Sequence, residues 1–238
     1  MSFDIKTVIL HCKSLRDRKV NMIQQMEKFG FTNYSFYEEF DGNELTESDI
    51  SSYYAHPSIS YDETQKKASV YDHIIPNASR CVRPLNIPQM SLTIKHGKVF
   101  EMLARQEEEM FIVFEDDVIL CEDFVSNFRK FLSFTPNDWD VISFGTGAGL
   151  KPDSFGSHRI TKEQVAYLMP HPASRCTDSM LFKKSAVVDL AKTWFPFHMI
   201  CDWELSYQHY LHNHKVYWWE PGLVVQGSEC GKFNSVLR

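Results

Sequence analysis

The chain has 238 residues, 43% of them hydrophobic and 24% charged, with a formal net charge of -6. That length suits a domain with a sizeable core, the composition excludes general disorder, and the negative balance excludes a broad nucleic-acid footprint. The six cysteines, Cys12, Cys81, Cys121, Cys176, Cys201 and Cys230, form no CxxC pair, which excludes zinc-finger spacing and a small disulfide-stapled scaffold. The N-terminus lacks a signal-peptide pattern, and no apolar stretch approaches the ~20 residues that span a bilayer. The expectation is a cytoplasmic protein with reduced thiols and no transmembrane segment.

In chain order, residues 7–11 read as a buried strand, β-branched and uninterrupted. A helix is predicted over 15–29, where Leu15, Val20, Met22, Ile23, Met26 and Phe29 recur at helical spacing until Gly30 stops it. A strand at 34–40 follows, closed by Asp41-Gly42. Strand, helix, strand favours a parallel α/β sheet, and such sheets place ligands just past the carboxyl ends of their strands. Residues 11–18 lie there, so Arg16 and Arg18 are either diphosphate contacts or part of a solvated helix face. Neither GxGxxG nor GxxxxGK[ST] occurs.

Residues 44–88 show little periodicity and read as an irregular insertion or loop near the acceptor side. A helix over 90–108 carries Leu92, Ile94, Val99, Met102 and Leu103, with His96 a satisfied or surface histidine by default. It delivers the chain into the apolar run 111–120, interrupted by Glu115-Asp116-Asp117. Three consecutive carboxylates inside hydrophobic sequence are costly to bury without a cation, which points to a divalent metal. The alternative is that acids gather here because they suit a helix N-terminus.

Beyond the acidic run, the pattern predicts a helix at 124–132 and a strand at 139–144 that runs into the glycine-rich 145–149. Strands follow at 165–169 and 179–182, then helices at 184–194 and 201–212 and extended pieces at 216–219 and 222–226. Asp202 and Glu204 fall in a first helical turn, where they either compensate the helix dipole or act as acids and bases. Trp203, Tyr207, Trp218 and Trp219 are sugar-stacking candidates or core aromatics.

Several separated segments together resemble glycosyltransferase family 25, which includes lipooligosaccharide sugar transferases and collagen galactosyltransferases. They are Val8-Ile9-Leu10-His11 with Arg16 and Arg18, Phe40-Asp41-Gly42, the six residues from His96 to Glu101, Phe114-Glu115-Asp116-Asp117-Val118, Thr177-Asp178-Ser179-Met180, and the residues 220–228. Lys95 departs from the family, which commonly has serine before the histidine.

The resemblance implies an α/β fold of the GT-A type, a Rossmann-like mixed sheet flanked by helices in a single domain spanning 1–238. It makes Glu115-Asp116-Asp117 the counterpart of the DxD motif, with Asp117 and Glu115 coordinating Mn²⁺ or Mg²⁺. His11, Arg16, Asp41, His96, Glu115 and Asp116 are the implied donor-binding residues, the donor being a nucleotide-sugar and by expectation a UDP-sugar. An inverting reaction needs a carboxylate to take the acceptor's proton, for which Asp202, then Glu204 and Asp178, are the candidates. The acceptor is expected to be a glycan or glycoprotein hydroxyl. Two rival classes are an inactive sugar- or nucleotide-binding module of the same fold and a metal-dependent phosphoesterase.

Overall fold

A computed structural model describes residues 2–72, 77–80, 82–155, 165–170 and 175–235. Runs of β-branched and aromatic residues form the strands β1 Lys6–Leu10, β2 Tyr34–Tyr37, β3 Met110–Glu115, β4 Val118–Leu120, β5 Val141–Ser143, β6 Ala166–Leu168, β7 Ser179–Lys183, β8 Val216–Trp219 and β9 Val224–Gln226. Between them lie α1 Arg16–Lys28, α2 Glu47–Tyr53, α3 Pro57–Ala68, α4 Ile87–Leu103, α5 Phe124–Phe134, α6 Lys184–Thr193 and α7 Cys201–His212. Seven strands make one sheet in the order β2-β1-β3-β7-β5-β8-β6, and β4 pairs with β9 in a separate ribbon. The mixed, Rossmann-like α/β architecture implied by the family resemblance is the one observed, whereas the parallel sheet favoured by the opening strand, helix and strand holds for β2, β1 and β3 and gives way to antiparallel pairing at β7.

Strands β2, β1 and β3 are parallel, as are β5 and β8, whereas β7 runs antiparallel between β3 and β5. The carboxyl ends of β1 and β3 therefore share an edge with the start of β7, where Phe114 pairs with Ser179. Alternation sends Ile9, Ile112, Phe114 and Leu181 to one face, under α1 and the phenylalanines of α5. Val8, Leu10, Val113 and Met180 go to the other, under α4 and α6.

The approach of α4 to the end of α6 depends on Gly97. A Cβ there would lie 2.2 Å from Trp194 Cδ1 and 2.4 Å from Phe195 Cζ, and Trp194 is fully buried. Gly97→Ala is therefore expected to destabilise the protein by about 2–3 kcal/mol through overpacking. The measurement is urea unfolding, in which the midpoint falls and the slope stays unchanged.

The segment 44–88 departs from the irregular insertion expected of it. Its described residues hold α2 and α3, the latter kinked at Ser60, while residues 73–76 and Cys81 lie outside the described residues. These helices are specified by their starts rather than by a buried stripe. Thr46 and Asp49 form a capping box, and His56 caps α3 with Pro57 behind it. α2 buries nothing and α3 only Pro57, Thr64 and Ala68, so no apolar period marks them. α4 likewise starts earlier than its apolar pattern, at Ile87, because Asn86 and Gln89 form a capping box. It ends at Leu103, before the Glu107-Glu108-Glu109 run. The run 111–120 is not one strand but two, β3 and β4, with Asp116 and Asp117 at the turn between them.

Candidate active site

The turn after β3 brings the acidic triplet to the carboxyl edge of the sheet, beside the residues that follow β1. A cavity of about 200 Å³ opens there, lined by His11, Arg18, Lys95, Glu115, Asp116 and Asp117 and by Ser228, Glu229 and Ser235 from the later part of the chain. The three acids of the triplet do different things.

Asp116 is buried and fully engaged. Its Oδ2 accepts from His11 Nδ1 at 2.7 Å and from the Cys12 amide at 3.2 Å, and its Oδ1 accepts from Arg18 Nη1 at 2.8 Å. Burial opposes its charge, but the hydrogen bonds from His11 and Arg18 hold the carboxyl below the usual carboxylate range. It fastens the end of β3 to α1 through Arg18 and to the residue after β1 through His11 Nδ1.

Asp117 is buried without equivalent satisfaction. Arg18 Nη1 stands 3.8 Å from its Oδ2, and its Oδ1 has no hydrogen-bond partner among the described residues. Glu115 is half-buried on the cavity floor and accepts from Thr177 Oγ1 at 2.7 Å. Burial, and then the charge of Asp117, push its carboxyl well above the usual range. Two carboxylates repelling each other in a pocket with one unpartnered oxygen suit a divalent cation. Among the described residues no three His, Cys, Asp or Glu side chains are grouped to hold a metal by themselves. The fit is therefore to a cation held by one or two carboxylates together with phosphate oxygens, the usual situation for Mg²⁺.

Asp178 joins these acids through the topology. It immediately precedes β7, and its carbonyl accepts from the Glu115 amide at 2.9 Å. Its side chain is fully buried, with Ser179 Oγ donating to Oδ2 at 3.0 Å and Oδ1 unpartnered among the described residues. Burial first, and the charge of Asp117 among lesser causes, lifts it from 3.8 to about 7. The glycine-rich 145–149 contributes here in an unexpected way. A Cβ on Gly145 would stand 2.1 Å from Asp178 Oδ2, so this glycine makes room for a carboxylate rather than for a ligand.

The two later acids separate. Asp202 lies in the first turn of α7, half-buried, with one oxygen accepting from the Trp203 amide at 3.0 Å. Burial raises its carboxyl. Burial first, and then the charges of Asp178, Asp202, Glu115 and Glu229, raise the Cys176 thiol, so all four carboxylates lie within electrostatic reach of that residue. Glu204 is fully buried and committed elsewhere. It accepts from Lys67 at 3.2 Å, from Gln208 at 3.0 Å, and from the His198 and Met199 amides at 2.9 and 3.3 Å. The expectation that Glu204 serves as a base meets a carboxylate with no oxygen to spare.

The remaining expected donor residues divide in the same way. Asp41 is buried, accepts from the Lys13 amide at 2.8 Å and is paired with Lys95, which also donates to the His11 carbonyl. His96 is buried and bonded to the Leu92 carbonyl at 3.0 Å, and burial lowers it to about 4, so it is neutral near pH 7. Arg16 is exposed and faces a shallower neighbouring depression. Arg18 is the arginine of the cavity, and it also donates to the Asn234 carbonyl at 2.5 Å. Its selection was legible in one signal. Arg18, Met22 and Met26 are the buried positions of α1, four residues apart on one face. Thr177 was marked only as part of the segment Thr177-Asp178-Ser179-Met180 that resembles the family, and Glu229 carried no signal. Trp218 and Trp219 are core residues, whereas Trp203 remains half-buried.

A family model described as glycosyltransferase family 25 (LPS biosynthesis protein) matches residues 5–176. The chain belongs to glycosyltransferase family 25. As a family 25 protein it is a glycosyltransferase, an enzyme of the nucleotide-sugar class. The matched span carries the acidic triplet, His11 and Arg18, and it ends before Asp178 and Asp202. None of the curated proteins matches the family 25 chain. Among solved structures it is similar to mouse xyloside xylosyltransferase 1 in its apo form, at 10% identity over 90% of this chain and 84% of that one, with a TM-score of 0.38. It is also similar to the inositol-1-phosphate CTP transferase from T. maritima, at 10% identity over 99% of this chain and 94% of that one, with a TM-score of 0.41. Likeness of that degree carries no argument about chemistry. Among the described residues no helix is long and apolar enough to cross a membrane.

Proposed function

We propose that this GT-A type enzyme moves a sugar from a UDP-sugar to a hydroxyl of a glycan or glycoprotein acceptor, with inversion at the transferred carbon and with Mn²⁺ or Mg²⁺ bound beside the donor diphosphate. The observation that carries this reading is the buried Asp117 oxygen without a partner among the described residues, next to a Glu115 whose carboxyl is raised by burial and by the charge of Asp117. A divalent ion bound there supplies positive charge to the leaving diphosphate.

The chain's own residues do the rest. Arg18, fixed by Asp116, presents a guanidinium to the same cavity and adds charge-assisted donors for phosphate oxygens. Asp202 takes the proton of the acceptor hydroxyl as its oxygen forms the new bond to the anomeric carbon. The bond from that carbon to the diphosphate breaks, and its electron pair leaves on the phosphate oxygen. Asp202 suits this role because it is half-buried, raised by burial, and without a cationic partner among the described residues. Asp178, sealed against Ser179 and Gly145, supports the acidic turn from behind.

The test is calorimetry with UDP, with and without Mn²⁺, on the wild type and on Asp117→Asn, followed by donor turnover. The expected result is UDP binding that requires the ion and weakens at least tenfold in the variant, together with release of UDP from a UDP-sugar. UDP binding without turnover would identify the inactive binding module. Failure of UDP to bind in the presence of either ion would remove the UDP reading altogether.

A further inference from the structure

A second cavity, of about 360 Å³, lies between the chain at 82–89 and the residues 198–203 that lead into α7. It shares no lining residue with the acidic cavity, yet its wall includes Trp203, the neighbour of Asp202. The first turn of α7 thus has its indole on the wall of the second cavity, while its Asp202 carboxylate and Glu115 of the acidic cavity both act on the Cys176 and Cys201 thiols. We propose that this second cavity is the acceptor subsite and that it takes a pyranose ring bearing an anionic substituent, stacked on Trp203 and paired with Arg83. The assignment rests on the transferase reading above for its role in the reaction, but the recognition chemistry stands by itself.

Three features support it. Trp203 is held in place: Tyr71 stacks on it with ring centroids 4.3 Å apart and planes at 16°, and the Tyr71 hydroxyl donates to the Trp203 carbonyl at 2.8 Å. A platform fixed before binding loses little freedom when a sugar face settles on it. Arg83 is exposed and has no acidic partner among the described residues. In a chain whose formal charge is -6, a guanidinium with no acidic partner among the described residues, on the rim of an aromatic cavity, selects for a carboxylate or phosphate.

The wall that carries Trp203 is also fixed at His198 and Met199. His198 Nδ1 is bonded to Thr64 Oγ1 at 3.0 Å, and the His198 and Met199 amides are fixed by Glu204. Glu204 is thus a positioning residue for this wall. Gln89 commits its carbonyl oxygen to the Asn86 amide at 3.0 Å, which leaves its amide NH₂ to donate to a sugar hydroxyl.

Saturation-transfer NMR on the full chain with UDP and Mg²⁺ tests this, using methyl β-D-glucuronide, glucose 6-phosphate, neutral methyl β-D-glucoside and inorganic phosphate as probes. The two acidic sugars are expected to bind about tenfold more tightly than the neutral glucoside, the worth of one charge-assisted hydrogen bond. Whichever of them binds more tightly identifies the anionic group. Arg83→Gln, at an exposed position that leaves the fold intact, should bring acidic and neutral sugars level. Trp203→Leu should weaken all sugars, and Trp203→Phe should restore part of the loss.

The proposal is overturned if no sugar binds at tens of millimolar, if acidic and neutral sugars bind alike to the wild type, if inorganic phosphate competes as well as the sugars, or if Arg83→Gln changes nothing. UDP binding in the same samples separates the two claims. UDP bound with no sugar response removes the subsite alone, and sugar response without UDP binding removes the UDP-donor reading alone.

Discussion

Asp202→Asn is expected to lower kcat by about 10²–10⁴-fold, the usual worth of a general base, while UDP affinity stays unchanged. Asparagine keeps the size of the side chain and an oxygen to accept from the Trp203 amide, as Asp202 does at 3.0 Å, so the start of α7 is undisturbed. What it removes is the basic oxygen. Burial already raises the Asp202 carboxyl, bringing it closer to the pH at which a base is effective. The loss should therefore appear in turnover with acceptor and not in the metal-dependent binding of UDP. Glu204→Gln is the informative contrast. That carboxylate serves Lys67, Gln208 and two amides, so its loss should appear as about 1–3 kcal/mol of stability with a smaller fall in kcat. If Asp202→Asn keeps kcat within about threefold of wild type, a change too small for a lost base, the proton goes elsewhere and Asp178 becomes the next candidate.

The two carboxylates look alike in sequence, and that shows where sequence patterns stop being informative. Cys201-Asp202-Trp203-Glu204 places both acids in a first helical turn, where dipole compensation explains either one. Only the third dimension brings Lys67 of α3 and the 198–199 amides to Glu204 and leaves Asp202 half-buried and bonded to the Trp203 amide. The strands were legible because a central strand must be apolar on both faces, and runs such as Thr7 to Leu10 and Val141 to Phe144 have few other uses. The acidic triplet was legible for the converse reason, since carboxylates inside such a run demand a cause. Its internal division of labour was not. Asp116 is paid for by Arg18 and His11 from a strand and helix about 100 residues away in the chain, and no local pattern encodes that distance. α2 and α3 were missed because exposed helices bury no stripe and are set by caps, which an apolar-period search passes over.

Asp178→Asn is expected to stabilise the metal-free protein at pH 8 and to give no gain at pH 5. The folded-state value of Asp178 is raised from 3.8 to about 7, so between those limits the folded chain holds a proton that the unfolded chain has released. Stability therefore falls as pH rises through that window, the reverse of a salt-bridged carboxylate. A rise of that size corresponds to about 4 kcal/mol at full ionisation. Asparagine still accepts from Ser179 and fits against Gly145, but it has no charge to bury. Thermal melts in EDTA across pH 5–8 should show a falling wild-type curve and a flatter variant curve that crosses above it. Because the charge of Asp117 is among the causes of the raised value, Asp117→Asn should flatten the wild-type slope in part. A wild-type melt that does not fall across this range, or a variant no more stable than wild type at pH 8, would show that Asp178 carries its charge without strain.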